Sequence, residues 1–517
     1  MSKIGFRNFR RFTEFKPIEF NALTFLVGRN NSGKSTLVKA LLLIIDYLKA
    51  NNLKTLSFNQ NNVEDVNIVT FKRALNKRAK LNNEEFIEFL LEIDGLRFTL
   101  LITGKDDNTE VDVISFIIDD VSDGFSYIIK PQENSITISA NSSGYEVIPE
   151  NEENLLIDLE DKKADLENTL RNIKQKSSPE YIQLNSDLKQ LKKKISDLRK
   201  TIKSLLSRGQ FSLHSHYTST TLKDALSEMV AEHSAEYEIQ YHEIQRGKKP
   251  KQIFESLKAF KDSKFKIEKS ISFILEFQMQ IETIYLGATL NKQSALFAIR
   301  DKRNPLSQAI HEYKQLGIDK DTGSEAYKFV RDWMKESEFE IGDSFEVEMH
   351  AGEAYEVMIN SYGLQIPLAD KGMGSIQAML LILRLAVVIY KKQALDRLNN
   401  IRKPEEGKPL IVIIEEPELN LHPALQSKLA DLFHEVYDKF KIRLIIETHS
   451  EYLIRKTQLI VKQKEYEVEP NDNPFTVLYF DKELNQWLMN YREDGKFIEE
   501  FGKGFYDEAS LLTLNLL

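Results

Sequence analysis

The 517-residue sequence contains no cysteine. That excludes disulfides and thiolate metal sites, and it fits a reducing compartment, so a cytoplasmic location is expected. No uninterrupted run of about 18 apolar residues occurs, so no membrane partner is expected. The opening stretch, MSKIGFRNFRRF, lacks the apolar core of a signal peptide, and export is not expected. Positive charge is also short. The 70 Lys and Arg face 79 Asp and Glu, leaving a net −9. Nucleic-acid binding by bulk charge is thereby not supported, and any such surface has to be a local patch. With 42% hydrophobic residues the chain can bury a substantial core, and its length allows two or three domains.

What is present centres on Leu23–Leu43. Leu23 to Val27 is a short apolar run that reads as a buried strand. Gly28, Arg29, Asn30, Asn31, Ser32, Gly33, Lys34 and Ser35 then fit G-x-x-x-x-G-K-S/T at every fixed position, with Thr36 next. Leu37, Ala40, Leu41 and Ile44 follow at helical spacing. A strand, a glycine-rich turn and a helix start make a phosphate-binding loop, whose N–H groups converge on an anion at the positive end of a helix. Lys34 is expected to reach the β- and γ-phosphates of ATP, and the Ser35 hydroxyl to hold Mg²⁺. Upstream, Ile4, Phe6, Phe9, Phe12 and Phe15 suggest one or two antiparallel strands beside the loop strand. Arg10, Arg11 and Phe12 suit either contact with a purine or a plain core and surface. Gln60, in the polar stretch after the loop helix, reads first as a loop amide, and it is the best candidate for a glutamine that senses Mg²⁺ or the attacking water.

A second half of the site lies far downstream. Leu410 to Ile414 is apolar throughout, as in a strand buried on both faces, and it ends abruptly in Glu415 and Glu416. Carboxylates at that end fall where open α/β sheets bind ligands. Glu415 is expected to orient the Mg²⁺ shell and Glu416 to polarise the attacking water. A further strand, Ile442 to Glu447, runs into Thr448-His449-Ser450, and His449 is the candidate sensor of the γ-phosphate. Before these, Gly372, Gly374 and Ser375 open an apolar helix, forming a second anion-binding turn. With one phosphate loop already in the chain, this turn implies a γ-phosphate held by another protomer.

Between the two halves the pattern changes twice. Residues 84–139 alternate in strand fashion, with Asp94-Gly95 as a hairpin signal, and read as an antiparallel meander. Residues 151–207 are rich in Glu, Asp, Lys, Leu and Ile. Leu184, Leu188, Leu191, Ile195, Leu198, Ile202 and Leu205 keep an a/d heptad seam. With Leu159, Leu166, Leu170 and Ile173 before the Ser177-Ser178-Pro179 break, this predicts a coiled-coil hairpin. The basic face of its second helix, from Lys189 to Lys203, reads as solvated or as a partner or nucleic-acid contact. Residues 220–340 read as further helices, with Arg246 to Lys251 as an exposed basic loop. Strands resume at 345–350 and 355–360.

The order of phosphate loop, G-M-G-S turn, I-I-E-E-P-E-L-N-L-H-P and E-T-H-S resembles ATP-binding-cassette-type ATPases of the SMC, RecF and OLD group. It looks most like the OLD-like AAA ATPases of bacterial anti-phage systems such as Septu, PARIS and Gabija. The resemblance covers residues 1–60 and 340–517. It implies that Asn420, Leu421, His422 and Pro423 line a dimer interface and that Gly372, Gly374 and Ser375 act in trans. Two departures stand out: the metal-orienting position holds Glu415 instead of Asp, and the turn lacks the S-G-G-Q form. The 67 residues after Ser450 show no D-x-D, so no Toprim nuclease is expected in this chain.

The expected fold is α/β, a split ABC-type ATPase head with an antiparallel β-lobe and an inserted helical hairpin. The expected parts are an N-terminal ATPase lobe at 1–148, a coiled-coil hairpin at 149–208, a helical insertion at 209–340 and a C-terminal ATPase lobe at 341–517. The expected function is Mg²⁺-dependent ATP hydrolysis by a head-to-head dimer or higher oligomer that controls a separate effector, a nuclease or toxin. The alternatives are a repair ATPase that clamps DNA and an ATP-bound scaffold with little turnover.

Overall fold

The computed structural model describes residues 2–50, 52–59, 68–131, 136–142, 150–172, 179–206, 211–217, 221–231, 242, 267–279, 281–287, 296–298, 301, 304–400, 410–466, 473–502 and 505–506. Gln60 and the basic stretch 246–251 lie outside these described residues. The chain divides into two compact units, residues 1–46, 58–85 and 277–517, and residues 47–57 and 86–276.

The first unit carries the phosphate loop. A hairpin of β1 (Ser2–Phe9) and β2 (Phe12–Phe20) precedes β3 (Leu23–Gly28), which leads into α1 (Lys34–Leu48). Two short helices follow, α2 (Phe71–Ala74) and α3 (Lys77–Leu81). Strand β3 does not pair with the hairpin. It lies between two parallel neighbours in a sheet formed by β11 (Glu282–Leu286), β16 (Leu410–Glu415), β17 (Arg443–Thr448), β3, β18 (Phe475–Phe480) and β19 (Gln486–Leu488), in that spatial order. The apolar residues of β3, β16 and β17 are buried on both faces, which is why these strands read as unbroken hydrophobic runs.

Helices pack around this sheet: α8 (Pro305–Gln315), α9 (Glu325–Trp333), α10 (Met373–Asn400), α11 (Pro423–Phe440) and α12 (Glu451–Lys464). A smaller sheet joins β12 (Phe297–Ala298), β13 (Ser344–His350), β14 (Ala354–Ser361) and β15 (Leu364–Pro367). Helix α10 bears on the reading of apolar runs. Its stretch Met373–Ala394 is long and apolar enough to cross a membrane by composition, although no unbroken apolar run marks it. The stretch is mostly buried, and Met379, Leu383, Ala386 and Ile389 belong to the main core, which accounts for its composition.

The second unit holds the meander. Strands β5 (Ile87–Ile93), β6 (Leu96–Thr103), β7 (Glu110–Asp120), β8 (Phe125–Pro131) and β9 (Ile136–Ser142) pair antiparallel in sequence order, and β4 (Thr55–Ser57) pairs with β7. Asp94 and Gly95 both take positive φ, 49° and 84°, as the two-residue hairpin turn requires. Helices α4 (Glu150–Asn172) and α5 (Pro179–Leu206) pack on one another; Leu188 and Ile195 are buried in the seam, and Lys192 pairs with Glu167 outside it. The side chains of Leu198, Ile202 and Leu205 lie outside the described residues.

The stretch 209–340, expected to be helical, is mixed. It supplies β10 (Phe211–Tyr217), which extends the meander by pairing with β9, and it also supplies β11 and β12. Helical residues 222–231 (α6) and 267–279 (α7) belong to the same stretch, and Lys269 of α7 pairs with Asp123 in the meander. Short strands in a polar context leave too little periodicity to be read.

Candidate functional site

The chain leaves β3 at Gly28 with φ 153° and enters α1 through Gly33 with φ 111°. A Cβ at Gly28 would lie 2.2 Å from the Phe480 carbonyl oxygen, and one at Gly33 2.4 Å from the Phe12 ring. Both positions therefore require glycine on two grounds, backbone conformation and space. Phe12 is 4% exposed and packs edge-on against Phe6 and Phe15. It is a floor beneath the loop, which settles its reading against a purine contact. Arg11 donates to the Asn31 carbonyl, while Arg29, Asn30 and Asn31 are exposed along the loop tip.

Inside the loop the polar groups are closely matched. Lys34 is buried, and its Nζ donates to the carbonyls of Gly28 at 3.0 Å and Arg29 at 3.1 Å. Burial lowers its pKa, with Glu447, Glu416 and Glu418 opposing that. Thr36 is buried and donates its N–H to Gly33. The Ser32 hydroxyl is buried and has no hydrogen-bond partner. A buried hydroxyl without a partner costs roughly 1–3 kcal/mol, and a phosphate oxygen in the loop would satisfy it. The residues present thus fit a nucleotide phosphate.

The carboxylates arrive from two neighbouring strands. In register, Glu415 of β16 pairs with Glu447 of β17, and Glu447 pairs with Leu26 of β3. The carboxylate that meets the loop is Glu447. The Ser35 hydroxyl lies 3.0 and 3.1 Å from its two oxygens, and Lys34 Nζ lies 3.7 Å from Oε1. Burial pushes the Glu447 pKa up to about 7, against the lowering effect of Lys34, and the charge of Glu415 adds to the rise. Sequence reasoning gave Glu447 no role. The signal was available, because it closes an apolar strand just as Glu415 does. The hydroxyl and carboxylate oxygens here are hard donors of the kind Mg²⁺ takes.

Glu416 sits one residue past β16 with φ 45°, and its N–H donates to the Glu447 carbonyl at 2.8 Å. This kink turns it out of the strand toward His449, whose Nε2 is 3.7 Å from Glu416 Oε1. Burial holds the His449 pKa down to about 4, with Lys34 adding to the effect, so the ring is neutral near pH 7. Glu418, also unassigned from the sequence, is buried and accepts the His449 N–H at 2.6 Å. Burial raises its pKa. Glu418 ties the loop after β16 to the end of β17. Ser450 caps α12 by accepting from Leu453 and donates to Gln426. His422 caps α11.

The Gly372–Ser375 turn opens α10. Gly372 is exposed, and a Cβ on it would meet nothing within 4 Å. Gly374 is close-packed, with the site of a Cβ 2.9 Å from the Asn420 carbonyl oxygen. The Ser375 N–H donates to Gly372 within the turn. That donor is thus committed within the turn.

A family model described as AAA ATPase domain matches residues 1–454. None of the curated proteins matches the chain. Among solved structures, the chain is similar to a Pyrococcus furiosus Smc head domain with an extended coiled coil, bound to the C-terminal domain of ScpA, at 12% identity and a TM-score of 0.37, covering 100% of both chains. It is also similar to a Pyrococcus yayanosii Smc head with a coiled coil and joint, at 11% identity and TM-score 0.34, covering 96% and 98%. A Thermotoga maritima SMC head domain gives 10% identity and TM-score 0.29, covering 95% and 98%. These likenesses are too distant to bear on the site. The family model spans most of the sequence, including both strands that carry the carboxylates, and the chain belongs to the AAA ATPase domain family.

Proposed function

We propose that the chain hydrolyses Mg²⁺-bound ATP in a head-to-head dimer and thereby controls a separate effector, a nuclease or toxin, in defence against phage. The observation that carries the nucleotide reading is the buried Lys34–Ser35–Glu447 cluster beneath a loop whose Ser32 hydroxyl has no partner. When bound, Mg²⁺ would neutralise phosphate charge; Ser35 and Glu447 would hold it, with Glu415 on the neighbouring strand. Glu416, turned out of β16, is placed to accept a proton from water, and neutral His449 beside it to donate to a phosphate oxygen.

The dimer is supported by the packing of Gly374 on the Asn420–Leu421 stretch. That packing brings exposed Gly372, just before α10, near exposed Asn420 in the loop after the acidic strand, as a trans contact needs. The role in defence rests on the resemblance of the motif series. The cysteine-free chain allows a direct test with Asn31→Cys and Gly372→Cys, both at exposed positions, in a Glu416→Gln background. Cross-linking between chains should form with ATP and fall away with ADP or no nucleotide, because only ATP supplies the γ-phosphate that distinguishes the two states. Equal cross-linking in all three would refute the nucleotide-gated dimer. Turnover measured with and without DNA separates the effector reading from a DNA clamp.

A further inference from the structure

We propose that Glu447 makes nucleotide binding at the phosphate loop conditional on a divalent cation: it is a cation ligand, and without the cation it repels the nucleotide. This rests on the reading of the loop as an ATP site and deepens it.

The argument begins with sheet order. Strand β17 lies between β16 and β3, so its end, and not that of β16, adjoins the phosphate loop. Glu447 is the last residue but one of that strand, and its side chain is only 8% exposed. Both its oxygens lie within 3.1 Å of the Ser35 hydroxyl, and one lies 3.7 Å from Lys34 Nζ. These are the two side chains through which such a loop engages the β- and γ-phosphates and their metal. Glu415, its partner across the ladder, adds a second carboxylate close enough to disfavour charge on the first.

The electrostatic consequence has a definite sign. Lys34 is the cation paired with Glu447, and an arriving triphosphate would bring several negative charges to the same buried spot. Like charges a few ångströms apart in a poorly solvated site repel strongly, and solvent screens them little there. The Ser35 hydroxyl and the Glu447 carboxylate, both hard oxygen donors, would hold a divalent cation, and its charge would offset this repulsion. One carboxylate therefore opposes bare ATP and favours the metal complex. A residue that only supported the strand would change both in the same direction.

The test is equilibrium binding of a fluorescent ATP analogue to the 517-residue chain, in excess MgCl₂ and in EDTA. It is run at pH 8, above the value of about 7 to which burial raises Glu447. For the wild type we expect the metal complex to bind at least about 100-fold tighter than the free nucleotide. Glu447→Gln keeps the size and the contact with Ser35 but removes the charge. It should compress that ratio at least about tenfold from both ends, weakening the metal complex and tightening free ATP. Glu447→Asp keeps the charge while withdrawing it from Ser35; it should weaken the metal complex without improving free ATP.

Glu415→Gln is the comparison, expected to compress the ratio less than Glu447→Gln does. An unchanged ratio in Glu447→Gln, or a loss in magnesium with no gain in EDTA, would overturn the proposal. So would a larger compression from Glu415→Gln. Far-UV circular dichroism verifies that each variant is folded, and if Glu447→Gln is not, the Asp variant alone decides by whether free ATP stays excluded. Should the wild type bind nucleotide in neither buffer, and equal Lys34→Ala in this, the reading of the loop itself has failed instead.

Discussion

The ends of β16 and β17 look alike in the sequence: an apolar run, then glutamate. In space they differ. Strand β17 borders β3, so Glu447 lies under Ser35 and Lys34 in the dry interior. Strand β16 is one place further out, and its next residue, Glu416, is bent by a positive φ into a half-exposed position facing His449. Under the proposed function, position in the sheet would separate holding from reacting. The buried carboxylate is suited to neutralising a fixed charge, and the other is more open to solvent.

The strongest way to break this comparison is to swap charge for amide at the open end. Glu416→Gln should leave ATP affinity within about twofold and lower turnover roughly 10²-fold or more, measured by phosphate release. Normal turnover would mean that the base lies elsewhere. A second substitution sharpens the other side. Lys34→Ala removes the cation that Glu447 and the loop carbonyls surround, and ATP affinity should fall at least about tenfold, or 1.4 kcal/mol, by titration. A nucleotide titration identical to wild type would sink the assignment of the loop.

The smallest expected effect concerns His449, which bridges the two ends. Its folded pKa, about 4, lies below the 6.5 of the unfolded chain, so between those values the unfolded state binds the proton first. The stability that the neutral ring contributes is therefore complete above about pH 6.5 and is lost as pH falls toward 4. Between pH 7 and pH 5 the urea midpoint of the wild type should drop more than that of His449→Gln, which cannot titrate. Parallel drops would show that the ring is not held neutral by its surroundings. The ring is partly exposed, so the difference should be modest.

Local pattern made much of this legible. The phosphate loop, the Asp94-Gly95 hairpin and the seam through Leu188 and Ile195 announce themselves within a few residues, because each depends on neighbours in the chain. Glu447 and Glu418 do not. Their roles depend on which strand lies beside β3 and on a contact between residues 31 positions apart, from His449 N–H to Glu418. Strand β10 shows the same limit: seven residues from Phe211 to Tyr217 find their partner across the whole helical hairpin. The apolar composition of Met373–Ala394 likewise is explained by its burial in the core.

Phe12 carries a consequence for kinetics. Its ring fills the place where Gly33 would need to move if the loop were to sag, and Phe6 and Phe15 brace it, with Phe15 stacked in turn on Phe480 beside the loop strand. A loop supported in this way has lost its conformational freedom during folding, not during ligand capture. Little ordering entropy is then left to oppose association, and a phosphate meets donors already converged. Nucleotide should accordingly enter in a single fast phase whose rate rises linearly with concentration, and a smaller side chain in place of Phe12 should introduce a slower, concentration-independent step.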